Sequence, residues 1–108
     1  MIKKGTILVV DDSATNLMLL ASILSADGYD VRPVDSGERA LAEIPERPPD
    51  LVLLDIRMAG LNGFDVCRRL KAGAGTRDIP IMFISGASDT AERIEGLELG
   101  AVDFISKP

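Results

Sequence analysis

Short, wholly apolar runs alternate with stretches of helical periodicity along the entire chain. Thr6-Ile7-Leu8-Val9-Val10 ends in Asp11-Asp12, Leu51-Val52-Leu53-Leu54 ends in Asp55, and residues 79–84 end in Ser85. Runs without polar alternation, bounded by polar residues, read as parallel strands buried on both faces. Residues 30–34 read as a shorter strand. Pro33 puts it at a sheet edge, because proline cannot donate to a ladder. Residues 101–105 supply a fifth strand, followed by Ser106-Lys107-Pro108.

The intervening segments carry a period near 3.6. Leu17, Leu20, Ala21 and Leu24 share one face of a first helix, which Gly28 stops. Ser36 caps a second helix bearing Ala40, Leu41 and Ile44, ended by Pro45, Pro48 and Pro49. Residues 56–63 form a loop. A third helix turns Val66, Cys67 and Leu70 inward. Gly73, Gly75 and Asp78 form the loop before the fourth strand, with Pro80 at that strand's start. Asp89 and Glu92 have capping-box spacing for a fourth helix that runs to Leu99 and ends at Gly100.

Five strands alternating with four helices predict a doubly wound α/β domain, a parallel sheet between two helical layers. A single five-strand unit with Pro33 on an edge favours the flavodoxin-like order 2-1-3-4-5. Met58 and Met82 read as core or loop packing.

Composition narrows the function. The chain has 108 residues, a formal charge of -5, one cysteine and no histidine. One domain with a substantial core is expected. The acidic balance makes nucleic acid a poor partner. Lone Cys67 makes no internal disulfide and suits a reducing compartment. No apolar run approaches the roughly 20 residues of a membrane span. The stretch ending at Asp11 is too short for a signal peptide, so a cytoplasmic protein is expected. Histidine-zinc sites, serine-histidine triads and histidine bases are excluded. Gly73-Ala74-Gly75 precedes a strand and lacks a third glycine, so it is no dinucleotide fingerprint.

The chemistry lies where the strands end. Ligands of open α/β sheets gather outside the carboxyl ends of the strands. That rule brings together Asp11, Asp12, Asp55 and Lys107, a cluster of carboxylates that needs a cation. A carboxylate at the mouth of a central strand can attack phosphorus and form an acyl phosphate. Magnesium suits such an all-oxygen site. The hydroxyl of Ser85 can donate to a phosphoryl oxygen, and the Lys107 ammonium can pair with the acids and then with phosphate.

Together the segments VVDDSATN, DLVLLDIRMAGLNGFDVCRRLK, DIPIMFISGA and LELGAVDFISKP closely resemble the receiver domain of two-component response regulators. The resemblance runs from about Ile7 to Pro108. The pattern is similar to receivers of hybrid histidine kinases or cyclic-dinucleotide regulators. It implies that Asp55 is the phosphoacceptor, with a sensor histidine kinase or phosphotransfer protein as donor. It also implies that Asp12, Asp55 and the backbone carbonyl of Arg57 ligate magnesium directly, with Asp11 acting mainly through water. Ser85 and Phe104 would be the switch pair, Lys107 would hold a phosphoryl oxygen, and the Lys107–Pro108 bond would be cis. The face of the fourth helix and fifth strand would meet an output domain or downstream protein.

Two departures from the family pattern stand out. Ala59 occupies a position where the family usually has proline, which implies a less rigid loop after Asp55. The family has a fifth helix after the position of Pro108. Residues 1–108 are therefore expected to be a receiver truncated after its fifth strand, its final helix absent. An apolar strip on the fourth and fifth strands would then be uncovered, and self-association or lower stability would follow. Two other functions remain open. An aspartate-nucleophile phosphatase needs an acid two residues after the nucleophile, where Arg57 stands. A receiver-like interaction module that is never phosphorylated would leave the acids unused.

Overall fold

Polar residues flank each apolar run, and the resulting elements follow one another as β1 (Thr6–Val10), α1 (Ala14–Ala26), β2 (Asp30–Val34), α2 (Gly37–Glu46), β3 (Leu51–Asp55), α3 (Gly63–Ala72), β4 (Ile81–Ser85) and β5 (Asp103–Ser106). The computed structural model describes residues 4–85, 95–100 and 103–106, with Ser85 and residues 103–106 as backbone only. All four strand pairings are parallel, and the sheet order is β2-β1-β3-β4-β5. This is the expected 2-1-3-4-5 order, with Pro33 on edge strand β2.

Strand pleating sends alternate residues to opposite faces. Leu8 and Val10, Val52 and Leu54, and Ile81 and Phe83 enter the larger core with α2 and α3. Ile7 and Val9, Leu53 and Ile84 enter the core beneath α1. Apolar side chains on both faces explain why these strands show no polar alternation. Phe64 of α3 meets Phe83 of β4 edge to face, with centroids 5.2 Å apart and rings at 81°. Cys67 is a buried free thiol in the same core. Met58 is buried there too, and Met82 packs on the α1 side.

On the α1 side of β4, Ile84 is only 2% exposed and Met82 is partly buried. The expected uncovered strip is therefore confined, on β4, to Met82. The β5 side chains lie outside the described residues. The outer face of α1 is apolar instead. Met18, Leu19 and Ile23 are exposed, on a helix that contains no charged residue.

Several boundaries differ from the sequence reading. Pro45 does not stop α2 but lies inside its last turn. A proline there removes only one intrahelical bond, and the Arg47 N–H still closes onto the Glu43 carbonyl. Gly63 begins α3 rather than ending the loop. Asn62 caps that helix, and Asn62 and Asp65 form a reciprocal capping box. β4 starts at Ile81, two residues later than expected. Ile79 and Pro80 precede it, and Ile79 is buried although it lies in a turn held by its N–H on the Thr76 carbonyl. Lys71 Nζ donates to the carbonyls of Arg77 and Ile79 across the same turn. β5 is described over Asp103–Ser106 and so includes Ser106, while residues 101 and 102 of the expected strand lie outside the described residues. Residues 95–98 are helical, and Gly100 follows at φ +101°, as a helix stop requires. The Asp89–Glu92 capping box lies outside the described residues.

Candidate functional site

Parallel strands end together, so β1 and β3 deliver their terminal acids to one rim. Asp11, Asp12 and Asp55 each present a carboxylate oxygen within 4.8 Å of the others. Asp11 and Asp55 are buried, whereas Asp12 is exposed. Asp55 is the last residue of central strand β3, paired in register with Ile84 of β4. Ser85 follows Ile84 and closes β4, so its backbone stands at the same rim.

The two adjacent acids are held differently. Asp11 Oδ1 accepts the Ser13 N–H at 2.9 Å, and its Oδ2 accepts from Asn16 Nδ2 at 3.3 Å. Its carboxylate thus already serves the start of α1. The cap itself is Ser13, whose side chain accepts the Asn16 N–H. Asp12 Oδ2 accepts the Ala59 N–H at 3.1 Å, across 47 residues of sequence. That bond ties the β1–α1 turn to the β3–α3 loop.

The loop from Ile56 to Asn62 leads from the end of β3 to α3 and meets Asp12 through the Ala59 N–H. Gly63 lets α3 start directly against the end of β3. A Cβ at Gly63 would press into the Asp55 carbonyl oxygen and lie 2.9 Å from Ile56 Cα. The Gly63 N–H donates to the Ile56 carbonyl at 2.9 Å. Beside this loop lies an open cleft of about 500 Å³ lined by Ile56, Arg57, Met58, Asn62 and Phe64. Arg57 is exposed, and it stands two residues beyond Asp55.

The donor set fits a small hard cation. An octahedral magnesium shell with ligands at about 2.1 Å spans about 3 Å between neighbours and about 4.2 Å across. Carboxylate oxygens within 4.8 Å of one another reach that size with a small contraction or one intervening water. Asp11, with both oxygens accepting N–H groups, suits contact through water. Asp12, exposed and held by Oδ2 alone, suits direct ligation.

Among the sequence-derived site residues, Asp11, Asp12 and Asp55 converge. Arg57 lies on the adjoining loop. Ser85 and Phe104 are placed by backbone alone, Phe104 in register with Phe83 on β4. Lys107 and the Lys107–Pro108 bond lie outside the described residues. Sequence reasoning missed Asn16, Glu38 and Ala59 as partners at this rim. Glu38 Oε1 accepts the Leu61 N–H at 3.3 Å. Asn16 stood close enough to Asp11 to be found by its spacing. Glu38 and Ala59 are joined to the site only by tertiary approach.

The chain is similar to known proteins in sequence and in fold. A family model described as the response regulator receiver domain matches residues 7–108. Response regulator PleD of Caulobacter vibrioides is 46% identical over 102 residues, which cover 94% of this chain and 22% of that protein. The DNA-binding response regulator MtrA of Mycobacterium tuberculosis is 44% identical, over 94% of this chain and 43% of that protein. The chain thus spans less than half the length of these relatives. Among solved structures, the N-terminal domain of a response regulator receiver protein from Methanoculleus marisnigri superposes with a TM-score of 0.91 at 37% identity. It covers 98% of this chain and 86% of that one. The chemotaxis protein CheY4 of Vibrio cholerae gives 0.91 at 25% identity, covering 96% and 87%.

Proposed function

The chain belongs to the response regulator receiver family, and from that premise we propose that it is a phosphoacceptor signalling domain that takes a phosphoryl group onto Asp55. The observation that carries this reading is the convergence of the Asp11, Asp12 and Asp55 carboxylates within 4.8 Å at the end of central strand β3. A carboxylate oxygen of Asp55 attacks the phosphorus of a phosphohistidine on a kinase or phosphotransfer partner. The new O–P bond forms as the P–N bond breaks, and the imidazole leaves with the electron pair. No histidine occurs in the chain, so the donor is another protein or domain.

Magnesium, when bound, shields the incoming phosphoryl oxygens from the three carboxylates. Asp12, Asp55 and the Arg57 carbonyl would hold it directly, and Asp11 through water. Ser85, at the rim one residue beyond the strand partner of Asp55, would donate to a phosphoryl oxygen. Lys107 would pair with another. The phosphate adds roughly -1.5 to -2 charge at one point. Ser85 and Phe104 would follow that charge and repack the fourth-helix and β5 face toward an output partner. The domain is not a turnover enzyme on this reading, and its place is the cytoplasm. Among the described residues no helix is long and apolar enough to cross a membrane.

The exposed Arg57 side chain occupies the position where an aspartate-nucleophile phosphatase needs an acid, which counts against that alternative. The test is intact-mass measurement after incubation with magnesium and a small phosphodonor. The expected result is a gain of one phosphoryl group that fails without magnesium and in Asp55→Asn. No gain in the wild type would favour an interaction module that is never phosphorylated.

A further inference from the structure

Beyond the residues that face the acidic pocket, we propose that Glu38 is a positioning residue for the ion site, acting through the loop that follows Asp55. The inference rests on Asp12 being an ion ligand.

The loop meets two carboxylates by its N–H groups. Asp12 Oδ2 takes the Ala59 N–H at 3.1 Å, and Glu38 Oε1 takes the Leu61 N–H at 3.3 Å. Between them, Gly60 has φ +75° and exposes its backbone to the Glu38 carboxylate, with Oε2 3.2 Å from where a Cβ would stand. That conformation suits glycine, and a side chain there would crowd the acid. The N-terminus of α2 also abuts the loop. A Cβ at Gly37 would lie 3.0 Å from the Leu61 carbonyl oxygen and 2.7 Å from a methyl of Val66. Glu38 is in the first turn of α2, where an acid is also favoured by the helix dipole. Its side chain therefore reaches from a fixed helix to residues 60–61, two positions from the N–H that holds Asp12.

The role follows from Ala59. A proline at this position would stiffen the loop by itself but would offer no N–H to Asp12. Alanine supplies that N–H and leaves the backbone freer to move. Glu38 restores the missing constraint from outside the loop. With residues 59–61 fixed, the Ala59 N–H fixes the Asp12 carboxylate through Oδ2 and leaves Oδ1 for the ion. Partners that orient a metal ligand act on affinity without touching the ion.

The test is a magnesium titration followed by amide NMR, with hydrogen exchange at Ala59 and Leu61, in three variants. Glu38→Ala and Glu38→Asp both lose the reach to Leu61, and Glu38→Asp keeps the charge. Glu38→Gln keeps an acceptor of the same length without the charge. Magnesium affinity should fall by up to about fivefold in Glu38→Ala and Glu38→Asp, the most that one hydrogen bond of about 1 kcal/mol can transmit to the ion. Faster exchange at both amides should accompany it, with Glu38→Gln close to wild type. Should Glu38→Ala fail to fold, the contrast between Glu38→Asp and Glu38→Gln still decides. Wild-type affinity in Glu38→Asp with a change in Glu38→Gln would show a bare charge effect and overturn the proposal. So would faster Leu61 exchange with unchanged Ala59 exchange and unchanged affinity. A wild type that binds no magnesium would instead defeat the reading of the pocket itself.

Discussion

Asp11 and Asp12 are neighbours in sequence with unlike surroundings, and that difference predicts unlike roles. Asp11 is buried, and both its oxygens accept N–H groups at the start of α1. Asp12 is exposed and held by one oxygen. Asp12→Ala should abolish magnesium binding and phosphorylation with little loss of stability. Asp11→Ala should weaken magnesium binding less completely and lower the melting temperature, because the α1 turn loses its acceptor. Magnesium titration and thermal melting of both variants check this, and an unchanged titration in Asp12→Ala would contradict it. Cys67 gives a second prediction at this scale. Burial pushes its thiol above the ordinary value, while the charges of Lys71 and Arg68 partly oppose that shift. The folded state therefore keeps the proton longer than the unfolded chain. Its contribution is fully present below the ordinary thiol pKa and is lost as pH rises past it. Urea midpoints at about pH 8 and about pH 10 should fall further in wild type than in Cys67→Ala.

At the scale of elements, the close seating of α3 on β3 depends on Gly63. A methyl group there would collide with the Asp55 carbonyl and Ile56 Cα, which are backbone and cannot turn aside. Gly63→Ala should cost about 2 kcal/mol or more and shift the Asp55 and Ile56 amide resonances. Gly75→Ala, at a site with open space around the glycine, is the control and should cost little. Gly63 also shows what the sequence could and could not tell. As a glycine between a loop and an apolar helix it looked like loop punctuation. Its real constraint is the approach of another backbone, which no local pattern records. Strands β1 and β2 were legible to the residue because polar or turn-forming residues bound them on both sides. Ile79 misled because burial, not strand geometry, explains an apolar residue in a turn. The α3 capping box was readable in principle from Asn62 and Asp65, although a short aspartate is a weaker signal than glutamate. The three acids were legible because parallel strands bring their carboxyl ends together. The Glu38–Leu61 and Asp12–Ala59 bonds were not, since they join residues 23 and 47 positions apart.

At the scale of the molecule, a charge placed on Asp55 must reach a surface to act as a signal. The sheet provides a route, because β4 and β5 run in register from Met82–Asp103 to Ser85–Ser106. Ser85→Ala should still accept phosphate at Asp55 but transmit less change to the helix at residues 95–98. Amide shifts there on adding a phosphate mimic are the readout, and equal shifts in wild type and variant would refute the coupling. The coupling through Ser85 requires that the phosphoryl group lands on Asp55. The most direct test is to phosphorylate the protein with a small donor and magnesium, reduce the product with borohydride, and locate the modified residue by peptide mass spectrometry. Reduction of an aspartyl phosphate yields homoserine. The account predicts homoserine at position 55 alone, dependent on magnesium. Homoserine at 11 or 12, or a phosphate that survives reduction on another residue, would contradict it.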